Sequence, residues 1–116
     1  MMLRGEIRLV DLDPARRGEA DKTRPAVIVS NDGANTTAAR LGHGVVTVVP
    51  VSSNVDRVYP FQVLLPGADT GLARDSKAQA EQIRSVSVER VSHRIGSVPP
   101  ALMLGIDDAL RLHLAL

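Results

Sequence analysis

The sequence has no cysteine and no tryptophan, and only one tyrosine and one phenylalanine among 116 residues. The first absence removes disulfides, thiolate metal sites and cysteine nucleophiles together, and suits a reducing, cytosolic setting. The shortage of aromatic rings excludes a generic single-strand binder that stacks base after base, and leaves the core to valine and leucine. A dominant charge is missing too. Fourteen Lys+Arg against 13 Asp+Glu give a formal net charge of +1, which excludes a histone-like basic arm and confines any nucleic-acid affinity to a local patch. The apolar runs reach only about six residues, against the ~20 that cross a bilayer. The opening MMLRGEIRLVDLD meets charges at once, which is not the pattern of a signal peptide. A cytoplasmic protein with no membrane partner is expected, folded as one domain over residues 1–116.

What is present is a series of short apolar runs separated by turn residues. Ile7 to Leu12 reads as a strand, closed by Asp13-Pro14 because the residue before a proline leaves the helical region. Ala15 to Thr23, ARRGEADKT, lacks periodic apolar positions and reads as a surface loop of the kind that carries function. Pro25 to Val29 is a continuous β-branched run, the pattern of a strand buried on both faces, and Ser30-Asn31-Asp32-Gly33 stops it. Asn35 to Leu41 can form one or two helical turns capped from Asn31 or Asp32. After the turn Gly42-His43-Gly44, a second valine-rich strand runs from Val45 to Val51. Tyr59 to Leu65 reads as a strand with proline at its entry, Pro66 to Asp75 as loop, Ser76 to Val88 as one or two strands with a solvent face, and Arg94 to Val98 as a short closing strand. Pro99-Pro100 opens a helix in which Leu102, Ile106, Ala109, Leu110 and Leu114 share one face, opposite Asp107, Asp108 and Arg111. The expected fold is mainly β with accessory helices, a small, partly open barrel or rolled sheet covered by the C-terminal helix.

Few positions point to chemistry by themselves. Arg24 is held by Pro25 where a polar loop meets a buried strand; its guanidinium can grip a phosphate bidentately or pair with Glu19 or Asp21. Asp11 and Asp13 read as turn-forming groups rather than metal ligands. His43, His93 and His113 lack zinc-site spacing, so no metal is expected. Ser52-Ser53 ends a buried strand, where a hydroxyl caps the strand or faces a site, with no Ser-His-Asp spacing around it. Neither glycine-rich nucleotide motif occurs, so no cofactor is expected.

Taken in order, RGEIRLVDLDP near the start, GEADKTRPAVIVSND in the first third, VVPVSSN with YPFQVLL in the middle, and AEQIRSV before the late helix resemble the MazF/PemK family of toxin ribonucleases from bacterial toxin–antitoxin pairs. The resemblance covers nearly the whole chain. It implies an SH3-like barrel working as a homodimer whose groove binds single-stranded RNA. The implied activity is metal-independent cleavage of mRNA or other RNA to a 2′,3′-cyclic phosphate and a 5′-hydroxyl. It also implies a cognate antitoxin, with an acidic and apolar C-terminal segment that occupies the groove. Arg24 matches the family's R-P arginine, Ser52 its catalytic threonine, Glu19 the acidic residue of the preceding loop, and Glu81-Gln82 the D/E-Q pair. Three places depart: Arg8 where tryptophan is common, Arg17-Gly18-Glu19 where G-S-E is usual, and serine at position 52.

On this resemblance Arg24 stabilises the phosphorane, Ser52 donates to a non-bridging oxygen, and Glu19 takes the 2′-hydroxyl proton. An unperturbed guanidinium gives up its own proton at pH 7 only at a cost of roughly 8 kcal/mol. Arg8, Arg17, Ser53, Glu81, Gln82 and Arg84 stand as candidate substrate contacts, with Arg57 as a further phosphate contact. Two other classes compete: a relative that binds RNA, DNA or its antitoxin without cutting, and a poison of a protein such as DNA gyrase, as in the CcdB branch of the same fold. Arg24 together with a hydroxyl at position 52 favours the enzyme.

Overall fold

The valine-rich runs set the architecture. In the computed structural model, which describes residues 1–116, the chain forms β1 (Glu6–Asp11), β2 (Thr23–Ile28), α1 (Asp32–Leu41), β3 (Val45–Ser52), β4 (Gln62–Leu65), α2 (Gly67–Thr70), β5 (Ser76–Gln79), β6 (Arg84–Ser87), β7 (Val91–Ser97) and α3 (Pro100–Leu114). Single 3₁₀ turns at Ala80–Gln82 and Val88–Arg90 flank β6. The strands make one open, antiparallel sheet of seven in the order β4-β5-β3-β2-β1-β7, with β6 also on β3. Central β3 meets β2 through Val48–Pro50 on one side. On its other side it meets β6 through Val45–Val48 and β5 through Val51–Ser52. The Ala80–Gln82 turn is thus the step between two strands that share one edge.

Both faces of β2 are buried, as its unbroken apolar run requires. Ala26 and Ile28 join Val10, Leu12, Val46, Val48 and Val86 in one core, closed by Ala20 of the long loop and Ala38 of α1. Val27 and Val29 join Ile7, Val49, Val51, Leu65 and Ala78 in a second, closed by Ile106 of α3. Leu102, Met103 and Leu110 pack at the edge of this second core. Leu114 instead is 47% exposed, because Leu110 is the last helix residue to reach the apolar cluster. No helix is long and apolar enough to cross a membrane.

Several segments differ from their sequence reading. Helix α1 begins at Asp32 rather than Asn35, because the Asn31 side chain accepts from Ala34 N at 2.8 Å and supplies the N-cap. It ends at Gly42, whose φ of 71° lets its N–H return to Ala38 O. Buried Asn35 locks this helix to the sheet: it donates to Ser30 O and accepts from Ser30 Oγ, which itself accepts from Thr47 N. Strand β4 starts at Gln62, not Tyr59; Gln62 N turns back to Tyr59 O at 2.8 Å, and Pro60 has no N–H for a ladder. Within Pro66–Asp75 the short α2 is held at both ends, by Asp75 Oδ1 accepting from Gly67 N and by Thr70 Oγ1 donating to Pro66 O. Strand β7 starts three residues early, at Val91, and follows β1 through two register shifts. Where β7 crosses α2, a Cβ on Gly96 would stand 1.8 Å from Thr70 O, so only glycine fits.

Candidate functional site

The β2–β3 register builds the site. Ala26 lies opposite Pro50, and the same register carried two residues outward places Arg24 opposite Ser52. The pairing has opened there, and a cleft of about 310 Å³ lies between the strand ends, lined by Lys22, Arg24, Ser52, Ser53 and Asn54 among others. Arg24 Nε donates to Asp21 O at 2.8 Å and its Nη2 to Asp21 Oδ1 at 2.9 Å, while Nη1 has no protein partner. Half-exposed ion pairs of this kind contribute at most about 1 kcal/mol. A phosphate can therefore displace Asp21. Ser52 Oγ accepts from Asn54 N at 3.2 Å, which leaves its own proton free to donate.

Two cleft residues had no separate signal in the sequence. Lys22 holds a positive φ of 65°, with its N–H on Asp13 Oδ1, and adds a second cation beside Arg24. Asn54 caps Ser52 from the following loop.

Glu19 does not line this cleft; it is exposed, with Oε1 accepting from Arg16 N at 2.7 Å and Oε2 free. Its loop is held from the Ala80–Gln82 turn between β5 and β6. Gln82 Oε1 accepts from Ala20 N at 2.8 Å and Gln82 Nε2 donates to Gly18 O at 3.2 Å, so one amide brackets Glu19. Arg84 Nη1 donates to Leu12 O, at the loop's base. Gln82 and Arg84, read from the sequence as substrate contacts, are engaged in shaping the loop. Glu81 accepts from Gln62 Nε2 at 2.7 Å through Oε2, while its Oε1 is buried without a donor.

Arg8 lies in β1 with its guanidinium spent on Glu6 Oε1 at 2.9 Å, Ser92 O and Met1 O, away from the cleft. Arg17 is exposed and unpaired at the loop tip, and Arg57 lies 5.6 Å over the Tyr59 ring. Asp11 and Asp13 accept from Asp13 N and Lys22 N and so form the turn after β1. A larger hollow of about 690 Å³ lies beside that turn, but its lining includes Asp11, Asp13 and Glu89 against Arg90 alone, a field that repels a polyanion. Nowhere do three His, Asp or Glu side chains gather as a metal site would need.

A family model described as a PemK-like, MazF-like toxin of type II toxin–antitoxin systems matches residues 3–114. Endoribonuclease MazF9 of Mycobacterium tuberculosis is 63% identical over 100% of this chain and 98% of its own length. Endoribonuclease EndoA of Bacillus subtilis is 27% identical over 97% and 94% of the two chains. Among solved structures, a mycobacterial endoribonuclease in complex with its cognate antitoxin superposes with a TM-score of 0.78 at 27% identity, covering 100% of this chain and 97% of the other. MazF from Deinococcus radiodurans gives a TM-score of 0.82 at 23% identity over 99% and 97%, a likeness of fold alone.

Proposed function

The chain belongs to the PemK-like, MazF-like toxins of type II toxin–antitoxin systems, and on that premise we propose that it is an endoribonuclease that cuts single-stranded RNA through the RNA's own 2′-hydroxyl. The observation that carries this reading is the cleft between Arg24 and Ser52, a guanidinium facing a hydroxyl across two strand ends with a second cation alongside. The substrate supplies its own nucleophile. The protein has to remove a proton, stabilise charge on the phosphorane and let O5′ leave, none of which requires a metal-activated water.

Arg24 Nη1 and the fork now shared with Asp21 meet the non-bridging oxygens, and Ser52 Oγ donates to one of them. Glu19 stands outside the cleft on the loop that leads into Arg24, with Oε2 free, and in this reading the loop carries that oxygen to the 2′-proton when RNA binds. Attack of the 2′-oxygen on phosphorus and departure of O5′ leave a 2′,3′-cyclic phosphate and a 5′-hydroxyl, with the proton on O5′ drawn from water and the one held by Glu19 returned to water. The working unit is a homodimer in the cytoplasm. The antitoxin's acidic and apolar C-terminal segment competes for the groove, since Arg24 and Lys22 attract a carboxylate as they attract a phosphate.

The test is incubation of the purified protein with a mixed RNA pool in EDTA, followed by mapping of 5′ ends. Cleavage at a short recurring sequence with 5′-hydroxyl termini is expected. Intact RNA would defeat the reading, and simultaneous tight binding of RNA and antitoxin to one dimer would defeat the competition.

A further inference from the structure

Lys77 is one of two lysines in the chain and is only 8% exposed. In the β3–β5 register it lies directly across from Ser52, and in the β4–β5 register across from Leu64. Directly opposed residues of antiparallel strands project to the same face. Lys77 therefore shares the outer face with Ser52, while their neighbours Val51 and Ala78 enter the core. No carboxylate forms an ion pair with it. Its Nζ donates instead to Arg57 O at 2.7 Å. A buried ammonium without a counter-ion is unfavourable, and methionine would fill the same space without that penalty. What the ammonium adds is a long-range tie.

The segment so tied, Ser53 to Phe61, is otherwise bonded locally: Asn54 N to Ser52 Oγ, Asp56 N to Asn54 Oδ1, Arg57 Nη1 to Tyr59 Oη, and Tyr59 N to Gln62 Oε1. It carries both aromatic rings of the chain, Tyr59 and Phe61, stacked with centroids 5.3 Å apart and planes 4° from parallel. We propose that Lys77 is a positioning residue of the RNA-cleaving site: through the Arg57 carbonyl it clamps this loop to β5. The Ser53–Asn54 wall opposite Arg24 and the Arg57–Tyr59–Phe61 stack that follows it in the chain then stand in place before RNA arrives. The inference rests on the reading of the cleft as an RNA site.

With no tryptophan present, the intrinsic fluorescence is that of Tyr59 alone. Acrylamide quenching of Tyr59 and steady-state cleavage of a single-stranded RNA bearing the mapped sequence are measured for wild type and Lys77→Met. The clamp predicts a quenching constant raised about twofold and a KM raised about tenfold, with kcat changed by less than about threefold. Because the chain has no cysteine, Lys77→Cys can be aminoethylated while unfolded and then refolded. This restores an ammonium of near-native reach and should return both readouts toward wild type. In a folded Lys77→Met protein, unchanged Tyr59 quenching, or a loosened Tyr59 with KM unchanged, overturns the proposal.

Should the variants not fold, the wild type decides. In protein labelled with ¹⁵N-lysine, one ammonium signal should persist against solvent exchange while that of Lys22 is lost, and two equally fast signals overturn the clamp. A wild-type protein that cuts no RNA defeats the ribonuclease reading alone; the Tyr59 and ammonium measurements still judge the clamp.

Discussion

Arg24 reaches the cleft with part of its guanidinium occupied by Asp21 and part free, the condition of a group that can exchange one anion for another. Its loss should therefore act on the transition state more than on binding. Arg24→Ala is expected to lower kcat/KM by about 10²-fold or more, roughly 3 kcal/mol, with RNA affinity in a gel-shift titration falling far less. Full activity of this variant would sink the mechanism. Glu19→Gln should cost about 10²- to 10⁴-fold and flatten the acidic limb of the pH–rate profile. Undiminished cleavage would remove Glu19 from the chemistry. Arg8 belongs with neither. Its guanidinium ties β1 to β7 and to the chain start, which accounts for a charged residue in the place where the family commonly has tryptophan.

Among the elements, the sequence is plainest where one local rule acts alone. The β-branched runs of β2 and β3 had no amphipathic alternative, and the Pro-Pro start of α3 had no competitor. The sequence offers Asn31 as the cap of α1 but reads its first turn late, at Asn35, because Gly33 closes the preceding run; the cap prevails over that stop. The sequence starts β4 early because Tyr59 and Phe61 are strand formers, whereas their rings stack on each other in the loop.

In the site, Arg24 and Ser52 were legible as motif positions, but their meeting depends on a register that no short pattern encodes. The structural ties of Gln82 and Lys77 leave no mark in the sequence, because their partners, Gly18, Ala20 and Arg57, are distant along the chain and are met through backbone atoms. The Gln82 bracket makes a prediction about its loop. Gln82→Ala should raise the hydrogen-exchange rate of the Ala20 amide about tenfold, the value of one lost hydrogen bond, and lower kcat, while the β1–β2 ladder amides stay protected. Unchanged exchange at Ala20 would show that the loop is held by other means.

For the whole molecule, charge is local: a cationic cleft and, adjoining it at Thr23, a hollow with three carboxylates beside the β1 turn, on a chain of net charge +1. The outer side of α3 is unusual for a solvent face, since Leu104 is 67% and Leu112 58% exposed. These leucines fit the contact of a symmetric pair. Sedimentation velocity at micromolar concentration should give a dimer, and Leu112→Asp should shift it toward monomer; a wild-type monomer would count against the pair. The crossing at Gly96 has a consequence that can be read in a culture dish. A cell forced to make this toxin without its antidote survives by breaking the gene, and most single-base changes on a tolerant surface leave the poison working. At Gly96 every replacement meets the Thr70 carbonyl, a backbone obstacle that no rotamer avoids. Sequencing of survivors should therefore show missense changes concentrated at this codon, outside the cleft lining, beside those at Arg24. A collection in which Gly96→Ala is no commoner than changes at exposed Arg40 would show that the strand can yield there.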